Sequence, residues 1–321
     1  MHSFQALAEQ FESRFNVRQF PDSPATLYDA AQYILQLGGK RVRPVAVLIG
    51  CELFAEINND AFQAAKAIEL FHNFSLIHDD IMDKAPLRRG LQTVHAKYGE
   101  STALLSGDVM LVVAYDQLLT IDSTNLASAI SLFNKTAKEV CEGQQLDMDF
   151  ERKNQVSLDE YIHMITLKTS VLLAASFQMG ALIGGADAID QQHLYDFGKN
   201  IGIAFQVQDD YLDAFGNPDK FGKQVGGDIL ANKKTFLLIH ALEVADQKQK
   251  KELNQLIEDD ASDKVEKVLS IYKACKADQW ADLLKKKYFD MAMVHLDQIN
   301  VTDNKKIELR KLADYLLQRD T

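Results

Sequence analysis

Three observations predict an all-α fold. Apolar residues recur at three- and four-residue spacing along nearly the whole chain. Strict period-two alternation is scarce. The breaks fall at glycine and proline, as in Gly38-Gly39, Gly184-Gly185 and Gly216-Asn217-Pro218. No linker, low-complexity segment or fixed-period repeat divides the chain. Residues 1–321 therefore read as one large all-α domain with a more polar C-terminal third.

Taken in order, residues 4–15 and 27–37 carry helical apolar stripes, and Gly38-Gly39 ends the second as glycine does past a helix C-terminus. Lys40-Arg41-Val42-Arg43-Pro44 opens the next run, 45–54, with Pro44 suited to a first helical turn. A long apolar helix over 60–84 runs into Asp79-Asp80-Ile81-Met82-Asp83. A loop with Pro86, Arg88-Arg89 and Gly90 follows. Further helices are predicted over 101–120, 125–150, 158–184, 188–214, 233–246, 249–257, 263–275, 278–298 and 303–318.

The composition, 47% hydrophobic and 25% charged, suffices to bury a core. A net charge of −11 leaves no general basic surface and argues against nucleic acid as the main partner. Cys51, Cys141 and Cys275 lack metal-ligand spacing and read as thiols of a reducing compartment. The first residues show no signal peptide, and no unbroken run approaches the ~18 apolar residues of a membrane span. A cytoplasmic protein is expected, though its substrate could be apolar.

The chemistry concentrates in acidic clusters. Asp79 and Asp83 are four apart, so on a helix they share a face about 6 Å apart along the axis. Stacked carboxylates repel, and a hard cation such as Mg²⁺ or Mn²⁺ relieves them. Arg88 and Arg89 just beyond suit an anionic group such as phosphate. Gln206-Val207-Gln208-Asp209-Asp210-Tyr211-Leu212-Asp213 repeats the pattern at the end of a second apolar helix. A third match, Asp259-Asp260-Ala261-Ser262-Asp263, precedes a predicted helix and reads instead as an N-cap from Asp260, Ser262 or Asp263. Two triads could hold a diphosphate through bridging cations, with charge from Lys40, Arg43, Arg88, Arg89, Lys168, Lys223, Lys233 and Lys234. His72 lies two helical turns before Asp79 on nearly the same face, and composition alone makes it a core histidine. His78 points elsewhere and reads as structural. P-loop, Rossmann and nucleophile-elbow patterns are absent.

The ordered set Gly38-Gly39-Lys40-Arg41-Val42-Arg43-Pro44, Asp79-Asp80-x-x-Asp83 with Arg88-Arg89-Gly90, Lys168-Thr169, Gln206-x-x-Asp209-Asp210-x-x-Asp213, and Gly222-Lys223 with Lys233 resembles the trans-isoprenyl diphosphate synthases, or polyprenyl synthetases, of the short-chain type. The likeness spans roughly residues 35–240. It implies antiparallel helices around a deep central cavity, usually in a homodimer. It implies condensation of isopentenyl diphosphate with an allylic diphosphate (C5, C10 or C15).

By the same resemblance, Asp79, Asp83 and Asp209 bind Mg²⁺, about three ions with the allylic diphosphate bound, and Asp80, Asp210 and Asp213 rank second. Arg88, Lys168, Lys223 and Lys233 complete the allylic site. Lys40, Arg43, His72 and Arg89 hold isopentenyl diphosphate. Thr169 and Gln206 turn oxygen dipoles toward the allylic cation. Two departures are Leu91-Gln92, where the family commonly has a basic residue and proline, and a C-terminus less basic than in some relatives. The rival readings are a terpene cyclase of related fold, which needs no second diphosphate site, and a non-catalytic regulatory subunit, which would not need to keep all six carboxylates.

The helix before Asp79 also bears on product length. Phe74 stands about 7.5 Å and Phe71 about 12 Å back along its axis. Ser75, on the Asp79 face, leaves space there. In the family, a large residue five before the first Asp limits products to C15–C20, and Ser75 favours C20 over C15. Replacing Phe74 with Ala is expected to lengthen the product. Chromatography of the dephosphorylated products checks this, and an unchanged length shows that Phe74 is not the floor.

Overall fold

Ser3 accepts a hydrogen bond from the Ala6 N–H (3.2 Å) and starts α1 (Phe4–Phe15). In the same way Asn58 Oδ1 accepts from the Ala61 N–H (3.0 Å) to start α4 (Asn59–Met82). A reciprocal capping box between Ser157 and Glu160 opens α8 (Leu158–Ile165). Each side chain satisfies donors that the first helical turn leaves unpaired. The structure, a computed structural model, describes residues 1–216, 225–258 and 262–317.

Between these helices lie α2 (Ala25–Gln36), α3 (Val42–Glu52), the strands β1 (Leu87–Arg88) and β2 (Leu91–Gln92), α5 (Val94–Tyr98), α6 (Glu100–Leu118) and α7 (Ser123–Arg152). After α8 come a π-helical turn (Thr166–Ser170), α9 (Val171–Ile183), α10 (Ala188–Phe215), α11 (Gly227–Leu230), α12 (Phe236–Val244), α13 (Gln247–Glu258), α14 (Lys264–Ala274), α15 (Ala277–Gln298) and α16 (Asp303–Leu317). The chain is all-α, and the only strands among the described residues are the two-residue pair. The long helices fall where periodicity predicts them. The predicted helix over 158–184 is interrupted by the π turn, and the one over 233–246 begins at Phe236.

The chain forms two compact units. One comprises Met1–Ala137, Leu172–Tyr195 and Gln298–Leu309; the other comprises Lys138–Val171, Asp196–Asp297 and the chain from Arg310 onward. In the first, α4 packs against α3 and α6, α1 against α3, and α2 against α6. Ala64, Ala65, Ala67, Ile68, Leu70 and Phe71 are all buried, so α4 is apolar nearly all round, as a central helix must be. In the second, Phe150, Tyr161, Val207, Phe236, Leu253 and Leu284 belong to one core.

By length and composition, Leu158–Ile183 qualifies as a membrane-crossing stretch, with a mean hydropathy of 1.3. Of that window, 67% is buried, so its apolarity is that of a core helix. Cys51 and Cys275 are buried thiols.

Asn58→Ala removes the cap of the helix that carries Asp79, and the expected loss is about 1 kcal/mol of stability. Urea unfolding checks it, and an unchanged midpoint would mean that the cap contributes nothing.

Candidate active site

In the first acidic cluster the three carboxylates have different surroundings. Asp80 is buried, and a buried carboxylate needs partners. Arg88 supplies them with a two-pronged pair, Nε to Oδ2 at 2.8 Å and Nη2 to Oδ1 at 2.7 Å. Asp79 is half-buried, and Asp83, the C-cap of α4, is exposed. The pair that could take up a cation is therefore Asp79 and Asp83, while Asp80 fixes Arg88.

Arg88 reaches Asp80 because β1 and β2 form a hairpin, with Arg88 opposite Leu91. Its two-residue loop is Arg89-Gly90, with φ of 54° and 77°. Positive φ at both positions is the I′ turn that suits right-twisted strands. The turn sends Arg89 to the Gly38 carbonyl, to which its Nη1 donates. The departure at Leu91-Gln92 thus leaves both arginines engaged.

Four basic side chains surround His72. Arg43 Nη1 donates to His72 Nε2 at 3.2 Å. Burial, then the charges of Arg43, Arg89, Arg88 and Arg41, push the imidazole well below its ordinary value. The ring is neutral at pH 7, and because arginine only donates, the ring proton lies on Nδ1. Burial lowers Arg43 to about 10, still protonated at neutral pH. Lys40 is exposed at the preceding turn. Arg43, Arg89 and His72 are thus brought together within one unit, and so many like charges suit an anion.

The other unit assembles a second basic site. Lys168 Nζ donates to Asp147 Oδ2 at 2.5 Å, and Lys233 Nζ lies 3.7 Å from the same oxygen. Burial pulls the Asp147 carboxyl up, but the two ammonium groups outweigh it and hold the group below its usual range. Thr169 Oγ1 donates to Gln206 Oε1 at 3.1 Å, Gln206 Nε2 donates to Asp210 Oδ1 at 2.8 Å, and Tyr161 Oη donates to Asp210 Oδ2 at 2.5 Å. Thr169 Oγ1 and Gln206 Oε1 both keep acceptor capacity beyond the bond they share. Burial, followed by the Asp228 charge, keeps Asp210 well above the ordinary carboxylate range. Asp147, Lys168, Thr169, Gln206, Asp210 and Lys233 all line one cavity of about 100 Å³.

The π turn delivers Lys168 and Thr169 to that cavity. It fits because glycines flank it. A Cβ on Gly143 would stand 2.2 Å from the Lys168 nitrogen, and one on Gly202 would stand 2.8 Å from Ser170 Cα. The wider π turn lets both side chains face the cavity edge, as π segments at functional sites often do.

In the second acidic cluster, Asp213 Oδ2 accepts from the Asp228 N–H at 2.9 Å and so caps α11, while Asp209 stays half-buried. Lys223 and Gly222 lie outside the described residues, as do Asn217 and Pro218 of the predicted break, Asp259 and Asp260 of the third cluster, and the tail from Gln318. Asp263 does stand at the N-cap of α14, but its carboxylate pairs with Lys267 at 2.8 Å instead of capping. Among the described residues, no three His, Cys, Asp or Glu side chains form a ready metal cage.

Sequence reasoning passed over Asp147 and Tyr161. The only sequence signal was an acidic residue in Gly143-Gln144-Gln145-Leu146-Asp147, on a helix that also carries Glu142 and Asp149. Phe74 packs between Phe71 (5.6 Å) and His78 (4.7 Å), and Phe71 packs on Phe133 (5.3 Å). His78 points to the Leu104 carbonyl of α6 at 3.2 Å. Ser75 Oγ donates to the His72 carbonyl at 2.8 Å.

A cluster of arginines at His72 in one unit and a lysine pair on Asp147 in the other suit anionic ligands, and each unit also carries an Asp-rich helix end. The family model described as polyprenyl synthetase matches residues 24–275. The chain is 38% identical to the geranylgeranyl pyrophosphate synthase of Geoglobus acetivorans, covering 92% of both chains. It is 36% identical to the short chain isoprenyl diphosphate synthase of Methanothermobacter thermautotrophicus, covering 93% of this chain and 92% of the relative. A crystal structure of a geranylgeranyl pyrophosphate synthase superposes with a TM-score of 0.95 at 40% identity over the full length of both chains. The chain belongs to the polyprenyl synthetase family. It is a prenyltransferase of the short-chain isoprenyl diphosphate synthase type, with the all-α isoprenoid synthase fold.

The neutral His72 makes a pH prediction. Above its unfolded pKa of about 6.5 the ring is uncharged in both states, and below it only the unfolded state takes up the proton. Stability is therefore present above that pH and is lost as pH falls. Urea unfolding between about pH 7 and 5 is expected to fall less steeply for His72→Gln than for the parent. Equal slopes would contradict a neutral, buried imidazole.

Proposed function

We propose that the chain works as a single catalytic domain that condenses isopentenyl diphosphate with an allylic diphosphate, giving an all-trans C20 product in preference to C15. The observation that carries this reading is the contact of Arg43 with His72, with Arg89 held nearby at the Gly38 carbonyl, in addition to the Lys168–Lys233 cavity. One basic site would serve an enzyme that only ionises an allylic diphosphate; two basic sites serve a condensation.

In this reading, Lys40, Arg43, His72 and Arg89 hold the isopentenyl diphosphate, with Nδ1–H of His72 as a neutral donor. Lys168 and Lys233 exchange part of their contact with Asp147 for the allylic diphosphate, joined by Lys223 and Arg88. Asp79, Asp83 and Asp209 suit a hard cation: they are carboxylates, partly open to solvent, whereas Asp80 and Asp210 are consumed by protein partners. Such an oxygen set suits Mg²⁺ (Mn²⁺ also suits), an ion that keeps several waters and takes substrate phosphate oxygens. When bound, about three such ions supply Lewis-acid neutralisation of the leaving group.

The chemical steps then balance. The allylic C–O bond breaks and the diphosphate leaves with the electron pair. The C3–C4 π electrons of isopentenyl diphosphate form the new C–C bond. A proton then leaves C2 to the released diphosphate, which restores a double bond. Thr169 and Gln206 turn oxygen lone pairs toward the allylic cation, and the hydrogen bond between them orients both.

A homodimer is part of the proposal. Leu104, Leu105, Val112 and Leu119 are exposed at helical spacing along α6 and the residue after it, a face suited to a second copy. We place the protein in the cytoplasm, a reading that the buried thiols Cys51 and Cys275 support.

Incubation with Mg²⁺, labelled isopentenyl diphosphate and each of the C5, C10 and C15 allylic diphosphates is expected to yield C20. Product cyclised without isopentenyl diphosphate would establish a terpene cyclase instead. Protein inactive until a partner chain is added would establish a regulatory subunit.

A further inference from the structure

Arg41 stands inside the basic motif but does not face outward with it. It is 5% exposed, and its Nη1 donates to Glu69 Oε1 at 2.5 Å, a carboxylate that is itself 4% exposed. Nη2 donates to the Leu35 carbonyl at 3.0 Å, and Nε lies 3.7 Å from Glu12 Oε1. The Asn73 amide donates to the same Glu69 oxygen at 3.1 Å. Arg41 thereby ties α1, the end of α2 and the middle of α4 to the start of α3.

The backbone at Arg41 is left-handed, with φ 52° and ψ 31°. A non-glycine residue holds that conformation only where its surroundings over-determine it. Here the buried ion pair does so. Its neighbours along the chain are the groups read above as ligands. Lys40 precedes Arg41, and Arg43 follows two residues later. His72 follows Glu69 by three residues, one turn along α4, and Arg43 reaches His72 at 3.2 Å.

We propose that the Arg41–Glu69 pair is the positioning device of the isopentenyl diphosphate site, setting the register of the Lys40–Arg43 turn against His72. The inference rests on the assignment of that site in the proposed function. Arg41 and Glu69 touch no substrate; they act through Arg43, Lys40 and His72. The alternative is that the pair serves stability alone. The two separate cleanly, because a buried ion pair replaced by apolar residues of similar volume is often neutral or stabilising, whereas removal of one partner is strongly destabilising.

The double variant Arg41→Met/Glu69→Leu is expected to stay folded, with its melting temperature near that of the parent. It is expected to raise KM for isopentenyl diphosphate about tenfold or more while KM for the allylic diphosphate stays within about twofold. Arg41→Gln/Glu69→Gln, which removes both charges together and keeps polar side chains of similar length, gives the same split and serves if the first double variant does not fold. An unchanged KM for isopentenyl diphosphate in a folded variant overturns the proposal, as does an equal rise for both substrates. Arg43→Met is the control for the site itself. If that variant leaves KM for isopentenyl diphosphate unchanged, the assignment of the site fails and the positioning role falls with it.

Discussion

A carboxylate taken out of water must find a partner, and that constraint organises both acidic clusters. The middle aspartate of each is buried, and each is met by a different solution. Asp80 is neutralised by the Arg88 fork, which the I′ hairpin brings back onto the helix it follows. Asp210 is met by neutral donors, the Tyr161 hydroxyl and the Gln206 amide. The first is a charge-assisted pair; the second joins its carboxyl to neutral donors, and burial with the Asp228 charge raises the group. Asp79, Asp83 and Asp209 stay partly or wholly open to solvent.

The basic residues obey the converse rule. Lys168 and Lys233 share Asp147, which holds two ammonium groups near one point without cancelling both. Such a pair is oriented before any anion arrives, so less side-chain entropy is lost on binding. Around His72, Arg43 donates to the ring, while the Glu69 carboxylate is turned toward Arg41. The repulsion is tolerated because His72 stays neutral and Arg89 is tied to the Gly38 carbonyl. An anion entering there relieves a stress that the folded protein already carries, which is how a binding site converts stored strain into affinity.

Much of this was legible in the sequence because it depends on local spacing. Helical periodicity placed α1, α4, α7 and α10 within a few residues, and four-residue spacing identified the carboxylate pair. What escaped depends on contacts between distant residues. The π turn at Thr166–Ser170 lies in a segment of helical character, and only the close approach of Gly143 and Gly202 accommodates it. Asp147 looked like one acid of several on α7 until Lys168 and Lys233 met it. Arg41 was indistinguishable from Lys40 and Arg43 in a basic run, and its inward turn depends on Glu69, 28 residues away. Hydropathy carried too little detail at Leu158–Ile183, where a core helix and a membrane span share one composition.

The same distinction bears on chain length. Sequence spacing alone placed Phe74 five residues behind Asp79 and Ser75 four behind. On a helix those two point about 100° apart, so only one can share the Asp79 face. The ring contacts resolve the division of labour. Phe74 lies in the row Phe71–Phe74–His78, whose last member reaches α6, while Ser75 keeps to the Asp79 side. The Ser75 hydroxyl is satisfied by the His72 carbonyl of its own helix. Phe74 borders that side with a ring that cannot swing freely, because Phe71 and His78 hold it from both ends of the row. Under the proposed function, the limit on tail length is a wall whose position is set by aromatic packing, and Ser75 acts through the volume it leaves.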